Sequence, residues 1–358
     1  IAFNASGPAP AALVPIRTSD SRQIDEAPFD PAEAPIQLGF APARKAVSVV
    51  TTSGVRLFRH DSRGRLEATG SYARTGFVGD AFSGVEAIGG GGRTVFTIEE
   101  GGSAVVAISL KGKQTAREPA RQPNRYSTPV ATSPDGSRVV AVSVSAQTGN
   151  PVALSFFRGE GRGLKGNPDH VELDSSLGPV GQLAFDESGG LLAASFPRSG
   201  SVVLVDAEAK EVVATTRAVG SPGGVAFRPG GDDLVVTGAA GPEQLAPMAP
   251  GAITLVPVSR RGFEEGGLRR FDRLPGVLFG PGDRAFGFPN RFFAVASSGA
   301  ADAIYTFNAS SGGLLERVDV GPSMGLLAVA PDMRTIVASG GGGLVVFTID
   351  DSGHLTQV

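Results

Sequence analysis

The chain has 358 residues, of which 41% are hydrophobic and 19% charged, with a formal net charge of −3. That is enough apolar material for a sizeable core and too little charge for disorder, and the acidic balance argues against nucleic-acid binding, which needs a basic face. Cys is absent, which excludes disulfides, thiol catalysis and metal sites built on thiolates, and Trp is absent too.

Gly and Pro are abundant, at 51 and 26 residues, and punctuate the chain at short intervals. No window approaches the 18 or more consecutive apolar residues of a membrane span. The first residue is Ile1, and cations are mostly Arg. Together with the missing Cys, these features predict a secreted or extracytoplasmic protein.

Residues 1–34 are read as an extended N-terminal arm, because Pro8, Pro10, Pro15, Pro28 and Pro31 leave little room for a helix. The apolar Leu13-Val14-Pro15-Ile16 would be a liability in water, so the arm is expected to pair with a sheet edge. Residues 35–358 form the second unit.

There the dominant signal is a repeat. A short apolar run leads into a Pro or Gly turn and then a second apolar run. Aligned on Phe40, Ile88, Thr132, Phe185, Phe227, Phe279 and Val329, the copies are separated by 48, 44, 53, 42, 52 and 50 residues. Spacings near 40–50 residues suit propeller blades, each a four-stranded antiparallel sheet.

The fourth copy parses as strands 182–185, 191–195, 201–206 and 211–217. The seventh parses as 326–329, 335–339, 344–349 and 355–358. These runs are short, β-branched and bounded by Gly, Pro, Ser and Asp, and helical periodicity is missing. The expected fold is all-β: a seven-bladed β-propeller of four-stranded antiparallel blades. The four anchor phenylalanines are expected to be buried between blades.

Two local phrases add a resemblance. Ser133-Pro134-Asp135-Gly136 and the turns 58–66 and 347–355 resemble those of the lactonase-family seven-bladed propellers, which include 6-phosphogluconolactonase, and of the broader YVTN-type propellers. The resemblance implies the propeller fold and a ligand face formed by the loops after the second and fourth strands of each blade. It also implies lactone hydrolysis as one activity. The chain departs from the family at the loop 124–129, which has no His, so no catalytic residue is carried over.

On that face the parse places Glu99, Glu100, Arg125, Tyr126, Gln147, Arg198, Glu243, Asp302 and Ser323. Glu99, Glu100, Arg125, Tyr126 and Arg198 are the expected ligand-binding residues, since convergent polar groups of both signs can hold a polar ligand. For lactone opening, Glu99 or Glu100 would activate water and Arg125 or Arg198 would stabilise the oxyanion. His60, His170 and His354 all fall outside these loops.

Gly321-Pro322-Ser323-Met324-Gly325 matches a hydrolase motif but lacks the following helix that the motif requires. The four-Gly runs at 89–92 and 340–343 lack the Lys-Ser/Thr of a phosphate loop, and Asp350-Asp351-Ser352-Gly353 reads as a tight turn. The expected role is an exported, non-catalytic binding or structural module. Lactone hydrolysis is the alternative. No cofactor or metal is expected. The expected partner is a protein or a small polar ligand, with self-association as a further option.

Overall fold

A computed structural model describes residues 2–4, 12–17, 22–30, 35–41, 45–51, 53–73, 86–89, 94–121, 123–160, 163–217, 221–228, 233–239, 249–264, 267–271, 278–279, 284–288, 291–296, 302–308, 311, 313–321, 326–329, 335–340 and 343–357. The molecule is all-β and has the β-propeller fold. Among the described residues there is no α-helix, and no helix long and apolar enough to cross a membrane.

From Pro35 onward antiparallel sheets follow one another in chain order. The first sheet contains Pro35–Ala41, Ala46–Thr51, Gly54–His60 and Leu66–Ala73. The second contains Glu86–Gly89, Thr94–Ile98, Ala104–Ser109 and Gln114–Pro119. The third contains Asn124–Thr132, Arg138–Ser145, Pro151–Glu160 and Gly163–Glu172. The fourth contains Leu183–Phe185, Leu191–Phe196, Ser201–Asp206 and Glu211–Thr216, close to the expected spans.

The fifth opens with Ser221–Phe227, Asp233–Ala239 and the long Ala249–Ser259. The sixth runs from Arg284–Phe288 to Leu314–Gly321 and the last from Leu326–Val329 to Leu355–Gln357. The opening strands of the first six of these sheets neighbour one another in succession, which places them innermost.

Burial follows from that arrangement. Middle strands such as Leu191–Phe196 are buried along their whole length, because neighbouring sheets cover both faces. Last strands such as Leu66–Ala73 alternate between half-buried and exposed. Val203 and Val205 pack with Val140, Val142 and Leu154 of the third sheet, while Val202 and Leu204 pack with Val225, Leu234 and Val236 of the fifth. One strand therefore serves two inter-sheet cores, as its nearly continuous apolar sequence requires.

The repeated turns have a local cause. Asp135 Oδ1 accepts hydrogen bonds from Ser133 Oγ at 2.6 Å and from the Ser137 amide at 3.0 Å, with Gly136 at φ 70°. In the first and last sheets, Asp61 accepts from the Arg63 and Arg65 amides, and Asp350 from the Ser352 and His354 amides. The amide bonds hold the Asp61 carboxyl below the usual carboxylate range, and the Ser352 hydroxyl, followed by the His354 amide, holds Asp350 at about 2.

Three expectations need correction. Phe279 does not lie on the opening strand of the sixth sheet: Leu278–Phe279 pairs with Ala249–Ser259 of the fifth, and the sixth begins at Arg284. The fifth sheet therefore has six strands, because its 11-residue third strand offers enough edge for Gly262–Phe263, Arg269–Phe271 and Leu278–Phe279 to pair with it in turn. Phe185 and Phe227 are only half-buried against the inter-sheet cores. The side chains of Phe40 and Phe279 lie outside the described residues, as do Ser323, Glu243 and residues 90–92 and 341–342 of the four-Gly runs.

The strands of residues 1–34 pair with one another among the described residues. Ala2–Asn4, Ala12–Val14 and Ala27–Pro28 form one small sheet, and Ile16–Arg17 pairs with Arg22–Gln23. Leu13 and Phe29 pack with Val47, Val49 and Phe58 of the first sheet. Asp25 reaches that sheet's last strand, where its Oδ2 accepts from the Leu66 amide at 2.7 Å.

Candidate functional site

In an antiparallel four-stranded sheet, the loop after the second strand and the loop leaving the fourth lie at one end. In the second to fourth sheets this end carries the turn 99–103 and the segments 120–121, 123–126, 146–150, 173–182 and 197–200. All five sequence-selected residues lie there.

Glu99 begins the tight turn that joins the second and third strands of its sheet. Gly101 and Gly102 take left-handed φ of 66° and 73°, which side-chain-bearing residues rarely adopt. The turn sits hard against Tyr126, since a Cβ on Gly102 would lie 2.1 Å from the Tyr126 carbonyl oxygen and 3.1 Å from Arg125 Cβ. The backbone thus brings Glu99–Gly102 together with Arg125–Tyr126. The side chains diverge in their partners.

Both Glu99 oxygens accept from Arg117: Nε donates at 3.0 Å and Nη2 at 2.8 Å. Ser103 Oγ adds a third bond at 3.1 Å. The Arg117 guanidinium is held above its ordinary value, chiefly by its hydrogen bond to Glu99. Arg117 was not selected from the sequence. It stands on the solvent-facing last strand, where nothing in its spacing marks it out.

Arg125 donates instead through Nη2 to the Ala146 carbonyl at 2.7 Å. Tyr126 is 1% exposed, and its ring meets Phe157 edge-on at 5.7 Å. Burial, helped by the nearby Glu118, pushes its phenol up to about 12, so it stays protonated at neutral pH. Tyr126 is a core residue of the seam between the second and third sheets.

Arg198 is exposed, on the next sheet. Its Cβ lies against Gly178, which has φ 78° and would bring a Cβ within 2.9 Å of it. Gly178 closes the 3-10 turn Ser175–Leu177, whose start is capped by Asp174 accepting from the Ser176 amide at 2.8 Å.

Beside Arg198 this end of the molecule opens into a cleft of about 520 Å³ between the third and fourth sheets. Its apolar lining includes Leu177, Val203 and Val212, and Val212 is 41% exposed. Ser176, Ser199, Ser201 and Thr215 contribute hydroxyls, Glu172 and Asp174 carboxylates, and Arg217 a guanidinium. The cleft is legible only in three dimensions, because its walls come from three separate segments, 172–177, 199–203 and 212–217. Among the described residues no group of three or more His, Asp or Glu is placed to hold a metal ion.

No family model matches the chain, and no curated protein matches it. Solved structures do. The dihydro-heme d1 dehydrogenase NirN superposes with a TM-score of 0.67 at 15% identity, over 99% of this chain and 71% of that one. Hydrazine synthase of Kuenenia stuttgartiensis gives 0.62 at 12% identity, covering 88% of this chain and 95% of that one. The periplasmic gluconolactonase PpgL of Pseudomonas aeruginosa gives 0.52 at 17% identity, covering 100% and 94%. The chain shares their fold; at these identities the likeness carries no activity with it.

Proposed function

We propose that the chain is an exported, non-catalytic β-propeller of seven blades, one blade per successive sheet, that acts as a binding module. Its ligand is small and polar. It sits in the cleft between the third and fourth sheets, with the loops of Glu99, Glu100, Arg125, Tyr126 and Arg198 forming the surrounding face.

The observation that carries this reading is the cleft itself: about 520 Å³, with four hydroxyls and charges of both signs around an apolar floor. That composition suits a compact ligand with several hydroxyl or amide groups and one apolar side. Hydrolysis would need a carboxylate open to water and a donor aimed at the oxyanion. Glu99 gives both its oxygens to Arg117. Arg125 turns one edge of its guanidinium to a backbone carbonyl.

Ligand-observed NMR with a panel of neutral sugars, sugar acids and lactones tests the reading. Saturable binding that weakens in Arg217→Ala and Ser199→Ala is the expected result. Turnover of a lactone that disappears in Glu99→Ala would replace it with the hydrolase alternative.

A further inference from the structure

The opposite end of the same two sheets carries a second cavity, of about 330 Å³. Arg138, Arg158, Asp169, Glu208 and Lys210 line it above the buried Phe156 and Phe157. Its distinguishing feature is a pair of like charges on neighbouring strands. In the third sheet Arg138 stands directly opposite Arg158. Like charges facing each other across strands repel, and sheets avoid the arrangement unless something offsets it.

The nearby carboxylates offset it only in part. Glu208 is shared, accepting from Arg260 Nη1 at 2.9 Å and lying 3.5 Å from Arg138 Nη2. Arg138 also donates through Nη1 to the Gly189 carbonyl at 3.1 Å. Asp169 is ion-paired with Lys210, whose hydrogen bond holds its carboxyl below the usual range. Arg158 reaches Asp169 only through its field and makes no hydrogen bond or ion pair among the described residues. Counting Arg260, four cations share two carboxylates, on a chain whose net charge is −3.

We propose that this cavity is a binding site for a small oxyanion, a phosphate- or sulfate-type group carried by a small molecule. A tetrahedral oxyanion offers acceptor oxygens in several directions at once, matching two guanidinium forks from neighbouring strands and an ammonium from a turn. Arg158 supplies the uncommitted fork, and Lys210 turns toward the same space from the tight turn at the end of Ser201–Asp206. Lys210 has φ 59°, which fixes the direction in which that turn presents it. Binding would remove the repulsion between Arg138 and Arg158, so occupancy stabilises the seam between the two sheets.

The test is a titration of the full chain with inorganic phosphate at constant ionic strength, read by calorimetry and by the thermal midpoint. The expected result is a saturable single site and a midpoint that rises with phosphate but not with matched chloride. Arg158→Gln, a change at an exposed position, should weaken phosphate binding by about tenfold or more. It should leave the midpoint in phosphate-free buffer unchanged or higher, since it also relieves like-charge repulsion. Lys210→Gln should weaken binding as well, and Arg63→Gln, on a distant turn, should not. Absence of saturable binding, or equal affinity in wild type and Arg158→Gln, overturns the proposal. The cavity lies at the other end of the sheets from the cleft proposed above, so the two outcomes are read separately.

Discussion

The Oγ of Ser155 lies 3.0 Å from Nδ1 of His170 and 2.6 Å from the Oγ of Ser143, so three adjacent strands of the third sheet are joined by a hydrogen-bonded side-chain row. The row runs along the face packed against the second sheet. It has the elements of a nucleophile–base pair, but Ser155 is fully buried and Nε2 of His170 is enclosed without a hydrogen-bond partner. A substrate has no route to that hydroxyl. The row is a packing element of the seam, and its physical consequence is a pH dependence.

Burial, followed by the charge of Arg121, pushes the His170 imidazole below its ordinary value, against the opposing fields of Glu172 and Asp169. Below the unfolded-state value of about 6.5 the unfolded chain therefore binds more protons than the folded one, and stability declines as pH falls toward the lower folded value. Urea midpoints measured between about pH 7.5 and 5.5 should fall in the wild type and fall less in His170→Gln. Parallel curves for the two proteins would remove His170 as the source.

Ser195 is fully buried and ties the fourth sheet to the fifth. Its Oγ donates to the Gly223 carbonyl at 3.0 Å and accepts from the Gln182 amide at 2.9 Å. Ser195→Ala removes both partners at once and strands a donor and an acceptor in the interior. The expected cost is about 1–3 kcal/mol in urea unfolding. A change of a few tenths would mean that water reaches the site.

The strand grammar was readable because the forces behind it are local. The turns at Asp61, Asp135 and Asp350 are made by residues within five positions of one another, and the apolar runs between them have to be strands. Phe279 departs from that grammar for an equally definite reason. Leu278-Phe279, followed by Pro281-Gly282, imitates the end of an opening strand, while the partner that decides the matter, Ala249-Pro250, lies far back in the chain. The site shows the same division. The loops holding Glu99, Arg125 and Arg198 follow from strand order. The Arg117 fork on Glu99, the burial of Tyr126 and the cleft between the third and fourth sheets depend on contacts between segments that the sequence keeps apart.

The anchor phenylalanines are expected to lie buried between the sheets, yet in the core between the third and fourth sheets it is Phe196, on a second strand, that has no exposure, while the anchor Phe185 is only half-buried. Phe196→Ala should cost about 3–5 kcal/mol, as for a fully enclosed ring whose cavity cannot collapse. Phe227→Ala should cost clearly less, because half-burial leaves part of that ring in water already. Chemical denaturation of the two variants side by side decides the order. Equal losses would mean that burial at position 227 is greater than its exposure implies.

The anchors of the N-terminal arm on the first sheet can be separated by mutation. Leu13 is fully buried among Phe29, Val47, Val49 and Phe58, and Phe29 meets Phe58 edge-on at 6.3 Å. Outside this cluster Asp25 holds the first sheet by accepting from the Leu66 amide. Leu13→Ala should therefore cost about 2–5 kcal/mol, a core-like penalty at a position thirteen residues into the chain. Deleting residues 1–20 removes Leu13 and two strands of the small sheet while leaving Asp25 and Phe29 in place. It should lower the thermal midpoint at least as far as Leu13→Ala does, and Asp25→Ala should lower it by a smaller amount. If the deletion leaves the midpoint where Leu13→Ala has already put it, Leu13 accounts for the whole contribution of residues 1–20. If neither change moves the midpoint, residues 1–20 add nothing to the stability of the first sheet.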